Sequence, residues 1–375
     1  MCQHGRFISQ AHIISCEVTS LIQKSRSVIT LMIASFAMFT MILDAKTAFS
    51  GAYEGLELCI NVVIPSLFPF MILSMTLTTL ISKLPSTSSN PIAPKSCYLS
   101  IQGSKIYLLG LLGGYPVGAQ CVAQAYEAGT IRRSEAERML AFSNNAGPAF
   151  IFGIGLRILD QNWMCWTVWL IHILASLITH LITPSMEFEE REYLPTKLQQ
   201  LSKPVIQRCI SVMASVCSWI VTFRVILAFL QKWFLWLLPK SIAVLICGIL
   251  ELSNGSIELV SLPSAPLRLI LFSTMLGFGG LCVMRQTKAV LENSGLSGSL
   301  SFPGKIVHAS ISYLLSLFVT TFAFPEKLSS SYVYLAIVAI IICIGYRISY
   351  LKRKFGMDFS EDSLYNDKKS GRLYL

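Results

Sequence analysis

Polar positions along this chain are grouped, and between the groups run long stretches of apolar residues. The apolar runs cover 28–43, 60–81, 106–125, 139–158, 163–183, 205–230, 233–250, 266–284, 306–324 and 331–349. Most approach the ~20 residues that a helix rising about 1.5 Å per residue needs to cross ~30 Å of hydrocarbon. None alternates with a period of two, so the pattern predicts helices, which satisfy their own backbone hydrogen bonds in lipid. The predicted fold class is all-α: a polytopic helical membrane protein of about eight transmembrane helices plus broken or re-entrant segments.

Three runs are interrupted in ways that a plain spanning helix would not be. The run 106–125 holds Gly113-Gly114-Tyr115-Pro116, 139–158 holds Asn144-Asn145-Ala146-Gly147-Pro148, and 266–284 holds Gly277-Phe278-Gly279-Gly280. Proline removes a backbone donor and glycine loosens the helix, so each interruption frees polar backbone groups at membrane depth. Lipid cannot satisfy them, and they must be buried in protein or line a polar cavity.

Polar groups also divide the chain. A leader (1–27) precedes a first membrane half (28–185), a hydrophilic linker (186–204) carries Glu187, Glu189, Glu190, Arg191 and Glu192, and a second half (205–350) leads into a polar tail (351–375). Both halves place a glycine-broken segment (LLGGYPVGAQ at 111–120, MLGFGGLCVM at 275–284) before a short polar stretch with Gly129 or Gly295. Interrupted segments at corresponding places in two halves point to a transporter's binding site. A chance match of two glycine-rich helices is the alternative.

Composition agrees with the pattern. Only 13% of residues are charged and 53% are hydrophobic, whereas soluble domains carry about 25% charged residues. A soluble fold is excluded. The net charge of +10 sits in short loops and ends rather than in a nucleic-acid-binding face, which is the positive-inside bias. Lys24 and Arg26 before the first run, with Arg347 at the end of the last and Lys352, Arg353 and Lys354 after it, predict two cytoplasmic ends and an even number of crossings. The first run reads as an uncleaved helix, being longer than a signal-peptide core. Eleven cysteines show no CxxC or CxxH spacing, so no disulfide framework, metal site or cofactor is expected. Signatures such as HExxH, GxSxG, the P-loop and GxGxxG are missing from the sequence, and no enzymatic activity is expected.

Several residues could carry chemistry. Gly110, Gly114 and Gly118 are spaced for close helix approach. With Pro116, the Gly113–Gly118 stretch would also leave a half-helix whose N–H groups and positive dipole end suit an anion. Gln120 and Gln124 lie on that half-helix. Asn144 and Asn145 stand together before a Gly-Pro break, as substrate contacts or as interhelical glue. Glu251 and Asn254 end an apolar run, either as a functional carboxylate and its neighbour or as an interfacial helix end. Gly277, Gly279 and Gly280 form the second-half break. Glu54 and Glu57 share one face beside Gly51 and Gly55, whose spacing suggests tight packing. Arg224, deep in an apolar run, should face a cavity or a carboxylate. His172, His180 and His308 read as isolated core histidines.

Taken in order, Pro65-Ser66-Leu67-Phe68-Pro69-Phe70, Gly114-Tyr115-Pro116-Val117-Gly118-Ala119 and Ser143-Asn144-Asn145-Ala146-Gly147-Pro148 resemble the YlbJ family of sporulation integral membrane proteins. Glu251-Leu252-Ser253-Asn254-Gly255 and Gly277-Phe278-Gly279-Gly280 resemble its second-half motifs, and the likeness runs from about residue 28 to 350. The resemblance implies nucleoside-recognition (Gate) halves and a multi-pass protein of the bacterial cell membrane, in the outer forespore membrane during sporulation. It further implies transport of a small anion, dipicolinate, with lipid and that solute as partners. Nucleoside transport by the same architecture is an alternative, as is a scaffold for spore-envelope assembly. Gln286-Thr287 is followed by Lys288 where the loosely similar nucleoside-transporter hairpin carries an acid, which argues against sodium–nucleoside symport.

Overall fold

The first long element shows how proline shapes this chain. In the computed structural model, which describes residues 25, 27–83, 99–183, 204–292, 294–325 and 331–355, helix α1 (Ser27–Leu43) is followed by α2 (Ala45–Leu58), a π turn (Cys59–Val63) and α3 (Ile64–Lys83). The π turn lies just before Pro65. A proline ring presses on the carbonyl four residues back, and the wider turn takes up that pressure. The Ile64 N–H reaches back to Cys59 instead, so Ala45–Leu80 runs on as one apolar rod of 36 residues. The sequence divided that rod at residue 60. Nearly all of the predicted leader and hydrophilic linker and residues 356–375 of the predicted tail lie outside the described residues, whereas 351–355 of that tail are helical.

Next come α4 (Ile101–Gly113), α5 (Val117–Glu127), α6 (Arg133–Met139), α7 (Pro148–Ile158) and α8 (Asn162–Ile182). The second half holds α9 (Val205–Trp233), α10 (Lys240–Leu250), α11 (Leu252–Glu258), α12 (Ala265–Phe278), α13 (Gly280–Leu291), α14 (Ser301–Ala323) and α15 (Ser331–Phe355). Every regular element among the described residues is helical. Five are long and apolar enough to cross a membrane: Ala45–Leu80, α8, α9, Ala265–Leu291 and α14.

Side-chain placement is that of a protein solvated by lipid. Helix α8 turns Trp163, Trp166, Leu170, Leu174, Leu177 and Leu181 outward and buries Met164, Val168, His172, Ser176 and Thr179. On α14, Phe302, Phe318 and Phe322 are exposed while Lys305, His308, Ser312, Ser316 and Thr320 are buried. Apolar residues outside and polar ones inside reverse the soluble pattern, and no water-facing surface explains them. The chain is an integral, multi-pass membrane protein.

Two pairs of short helices fold back as hairpins. A straight helix would separate Gly110 from Gly118 by about 12 Å, yet a side chain on Gly110 would meet the Gly118 backbone at 3.2 Å. Helices α4 and α5 therefore form a hairpin with its tip at Gly114–Pro116. A Cβ on Gly255 would fall 2.2 Å from Gly248, and α10 and α11 make a second hairpin with Glu251 at its tip. Each half then runs long helix, hairpin, broken element, long helix. In that order the segments 111–120 and 275–284 are not counterparts. The first is a hairpin tip and the second a break within α12–α13, which corresponds in position to the stretch 140–147 between α6 and α7. That stretch also corrects the reading of 139–158 as one interrupted helix: α6 ends at Met139 and helix resumes at Pro148.

Small residues set the closest contacts between the halves. A side chain on Gly51 would lie 3.0 Å from Ala228, and one on Gly55 2.9 Å from Val221, so α2 is pressed onto α9, as expected of that pair. Arg224 reaches across the contact to Glu54, the carboxylate that its place in an apolar run called for.

Candidate functional site

The α4–α5 hairpin reverses at Gly114, which has φ 78°, and the Tyr115–Pro116 peptide that follows is cis. A side chain at Gly114 would also strike the Gly147 backbone at 2.9 Å, so the position is closed to L-residues by both conformation and space. Gly110 and Gly118 press on Ser143 at 2.3 and 2.2 Å in the same sense. The small-residue spacing serves close packing, both of α4 on α5 and of this hairpin on the buried stretch 143–147.

The second break is at Gly279 and Gly280, with φ 82° and 85°. Its neighbour is the first. The Tyr115 hydroxyl donates to the Leu276 carbonyl at 2.6 Å, and a Cβ at Gly279 would lie 3.1 Å from the Tyr115 ring. The two glycine breaks, 161 residues apart, thus meet.

Asn144 links the elements around this meeting point. Its amide donates to the Thr287 hydroxyl on α13 at 2.8 Å and accepts from the Ala119 N–H on α5 at 3.4 Å. Gly118 N–H donates to Gly114 at 3.2 Å. The expectation of free N–H groups at the start of α5 is therefore not met at these two positions: Asn144 and Gly114 already fill them. Asn145 turns the other way, donating to Phe142 at 2.6 Å and to Ser176 at 3.1 Å. Its own oxygen is buried without a partner.

Beside Tyr115 is a small cavity of about 30 Å³ lined by Tyr115, Gly147, Phe150, Glu251, Ser253 and Gln286, with apolar residues of α3 and α9. It has room for about one water. Four residues singled out in the sequence thus share one wall-to-wall space: Tyr115, Gly147, Glu251 and Gln286. Glu251 is fully engaged by its own helix start, accepting from Ser253 N–H at 3.0 Å, Asn254 N–H at 2.7 Å and the Asn254 amide at 2.7 Å. Helix α7 starts at the same cavity with Gly147 and Pro148, and no side chain caps it and no acid lies in its first turn. That leaves a positive helix end with no cap or acid of its own, and the carboxylate that shares its cavity is that of Glu251.

Other expected residues sit apart from the cavity. Gly113 packs on Ser74 and Val117, Gly277 on Ala309, and Gly280 on Gly248 and Leu252. Gln120 is half-buried. Gln124 is buried with neither end of its amide partnered.

The sequence reading missed Lys305. This lysine on α14 is 2% exposed, donates to the Asn144 carbonyl and to the Tyr115 hydroxyl at 3.3 Å, and stands 4.7 Å from the Tyr115 ring centre. It forms no ion pair among the described residues. Nor are His172 and His308 isolated: their rings stack at 4.7 Å. His172 Nε2 accepts from Ala146 N–H at 3.0 Å, which leaves the proton on Nδ1. Both Nδ1 atoms are buried and unpartnered.

This arrangement, two helix breaks clasped around buried polar groups, can be compared with known proteins. The sporulation integral membrane protein YlbJ of Bacillus subtilis (strain 168) is 26% identical, with 71% of this chain and 77% of the relative covered. The chain is similar to YlbJ over that length. The match to YlbJ agrees with the resemblance carried by the ordered motifs around Pro65, Gly114, Asn144, Glu251 and Gly277. No family model matches the chain, and no solved structure does.

Proposed function

We propose that this chain is a sporulation-associated membrane transporter that moves a small anionic solute, dipicolinate, across the membrane around the forespore. The single observation that carries the reading is the contact of the two helix breaks, Tyr115 hydroxyl to Leu276 carbonyl, at the wall of a mostly apolar cavity that also holds Glu251, Ser253 and Gln286. Breaks inside a membrane bundle need internal partners. When two of them meet, a change at one is felt at the other, which is what alternating exposure of a central site requires. The uncapped start of α7 supports a negatively charged solute, the one carboxylate of the cavity, Glu251, being occupied by Ser253 and Asn254, and the name of the similar protein YlbJ supports the sporulation setting.

The cavity is far below the roughly 300–1,000 Å³ of ligand pockets, so this conformation is closed to such a solute. That volume favours a second reading, in which the chain is a scaffold for spore-envelope assembly and its breaks serve packing. Uptake of labelled dipicolinate by the purified chain in liposomes separates the two, alongside spore dipicolinate content after complementation of a deletion strain. Restored spores together with no uptake in liposomes would favour the scaffold.

A further inference from the structure

Lys305 is the one buried cation in the described bundle that has neither a carboxylate nor a set of carbonyls around it. Arg138, also buried, donates to the Thr183 and His180 carbonyls at 3.0 and 2.9 Å, and Arg268 pairs with Asp160. Lys305 has the Asn144 carbonyl and the Tyr115 hydroxyl, and that hydroxyl spends its own proton on Leu276. An ammonium carries three protons and one full charge. Two neutral acceptors leave the charge uncompensated, a costly state away from water.

Further polar atoms without partners lie on residues neighbouring Asn144 and Lys305 in the chain or bonded to their segments. Nδ1 of His172, Nδ1 of His308 and Oδ1 of Asn145 are all buried and unpartnered. His172 bonds the stretch that carries Asn144, and His308 lies one helical turn beyond Lys305 on α14. Tyr115 is common to the ammonium and the cavity: it lines the cavity and lies against Lys305.

We propose that Lys305 is the charge-recognition residue of the transported anion, and that Tyr115 covers it in the closed state. The substrate class is a compact carboxylate. One carboxylate oxygen takes the place at the ammonium that the Tyr115 hydroxyl holds now. For that exchange Tyr115 leaves Leu276, so binding the anion releases one helix break from the other. The assignment rests on the transport reading above and adds to it the residue that selects charge.

The test uses the full chain in liposomes, with uptake of dipicolinate normalised to folded protein for wild type, Lys305→Met and Lys305→Arg. Loss of the ammonium should raise KM by at least about tenfold, equivalent to ~1.4 kcal/mol, with arginine restoring most of the affinity. A KM for Lys305→Met close to wild type overturns the assignment while leaving transport intact. Absence of uptake by the wild-type chain overturns the transport reading and the assignment together. Should Lys305→Met fail to fold, wild type still serves: amidination of Lys305, read by mass spectrometry, should be slowed by dipicolinate and not by an uncharged nucleoside. Equal rates with both solutes overturn the proposal.

Discussion

The Leu276 carbonyl accepts from the Tyr115 hydroxyl at 2.6 Å because its own helix has released it. Helix α12 ends at Phe278, and Gly279 turns left-handed, so the N–H that would have continued the ladder is carried away. Carbonyls of a last helical turn need outside partners. Tyr115, at the tip of a hairpin in the other half, supplies one. Tyr115→Phe keeps the ring and removes the bond. It should lower the thermal midpoint of the protein in detergent, by the equivalent of about 0.6–2 kcal/mol, and raise amide hydrogen exchange in the first turn of α13. Unchanged exchange there would mean that the two breaks are neighbours without being coupled.

Gly279 and Gly295 offer a matched comparison. Both have left-handed backbone, φ 82° and 73°, but a side chain on Gly279 would press on Tyr115 whereas one on Gly295 has nothing within 4 Å. Alanine at either position bears the conformational cost of about 1–2 kcal/mol. Only Gly279→Ala adds the clash. Folded yield should therefore fall further for Gly279→Ala, and equal yields would show that Tyr115 moves aside freely.

The Glu54–Arg224 pair joins α2 to α9 at an interface closed by Gly51 and Gly55. Arg224 is the more buried partner, its side chain 14% exposed against 42% for Glu54. Leaving a buried charge unpaired costs more than removing both charges. Glu54→Gln should therefore reduce folded protein more than the double change Glu54→Gln with Arg224→Met. Additive losses in that double-mutant cycle would show that the pair is not coupled.

Much of this architecture is written in the sequence where glycine and proline stand. Gly113–Pro116 and Gly277–Gly280 mark real breaks, and Arg224 in an apolar run requires a carboxylate that Glu54 supplies. What the sequence hides are relationships across helices. His172 and His308 are 136 residues apart, and no spacing rule connects two residues on different rods. Lys305 lies in the first turns of α14, where a lysine reads as an interfacial cation reaching for water. Its burial follows from Gly304 alongside it, where a side chain would meet Ala141 at 2.5 Å and hold this end of α14 off the stretch 140–147. The apolar residues Leu140, Ala141 and Phe142 disguised that stretch as helix. They are fully buried, but in turns that lead into the Asn144 corner.

Charge at the chain ends predicts topology. Lys24 and Arg26 before α1, with Arg347, Lys352, Arg353 and Lys354 toward the end of α15, place both ends on the cytoplasmic side by the positive-inside rule. Reporter fusions at Gln3 and Lys369 should give the same side. Opposite sides would require an odd number of crossings and a different assignment for one of the hairpins.

Asn144 and Asn145 are adjacent in sequence and differ in what they hold. Asn145 serves its own surroundings, donating to Phe142 and Ser176, and Ser176 also bonds Tyr107 at 2.8 Å. Asn144 spans three elements, with Thr287 and Ala119 on its side chain and Lys305 on its carbonyl. Replacing Asn145 by leucine removes its donations to Phe142 and Ser176, while the Ser176 hydroxyl still donates to the Phe142 carbonyl at 2.9 Å, so each lost bond costs about 0.5–1.5 kcal/mol. Folded abundance should fall while uptake per folded molecule stays near wild type. Asn144→Leu keeps the backbone carbonyl that holds Lys305 but frees α5 from α13 at the meeting point of the breaks. Its normalised uptake should fall by about tenfold or more, the worth of ~1.4 kcal/mol, with Cys343→Ala as the control that changes neither reading. Equal behaviour of the two asparagines in this assay would remove Asn144 from the transport path and leave both as packing residues.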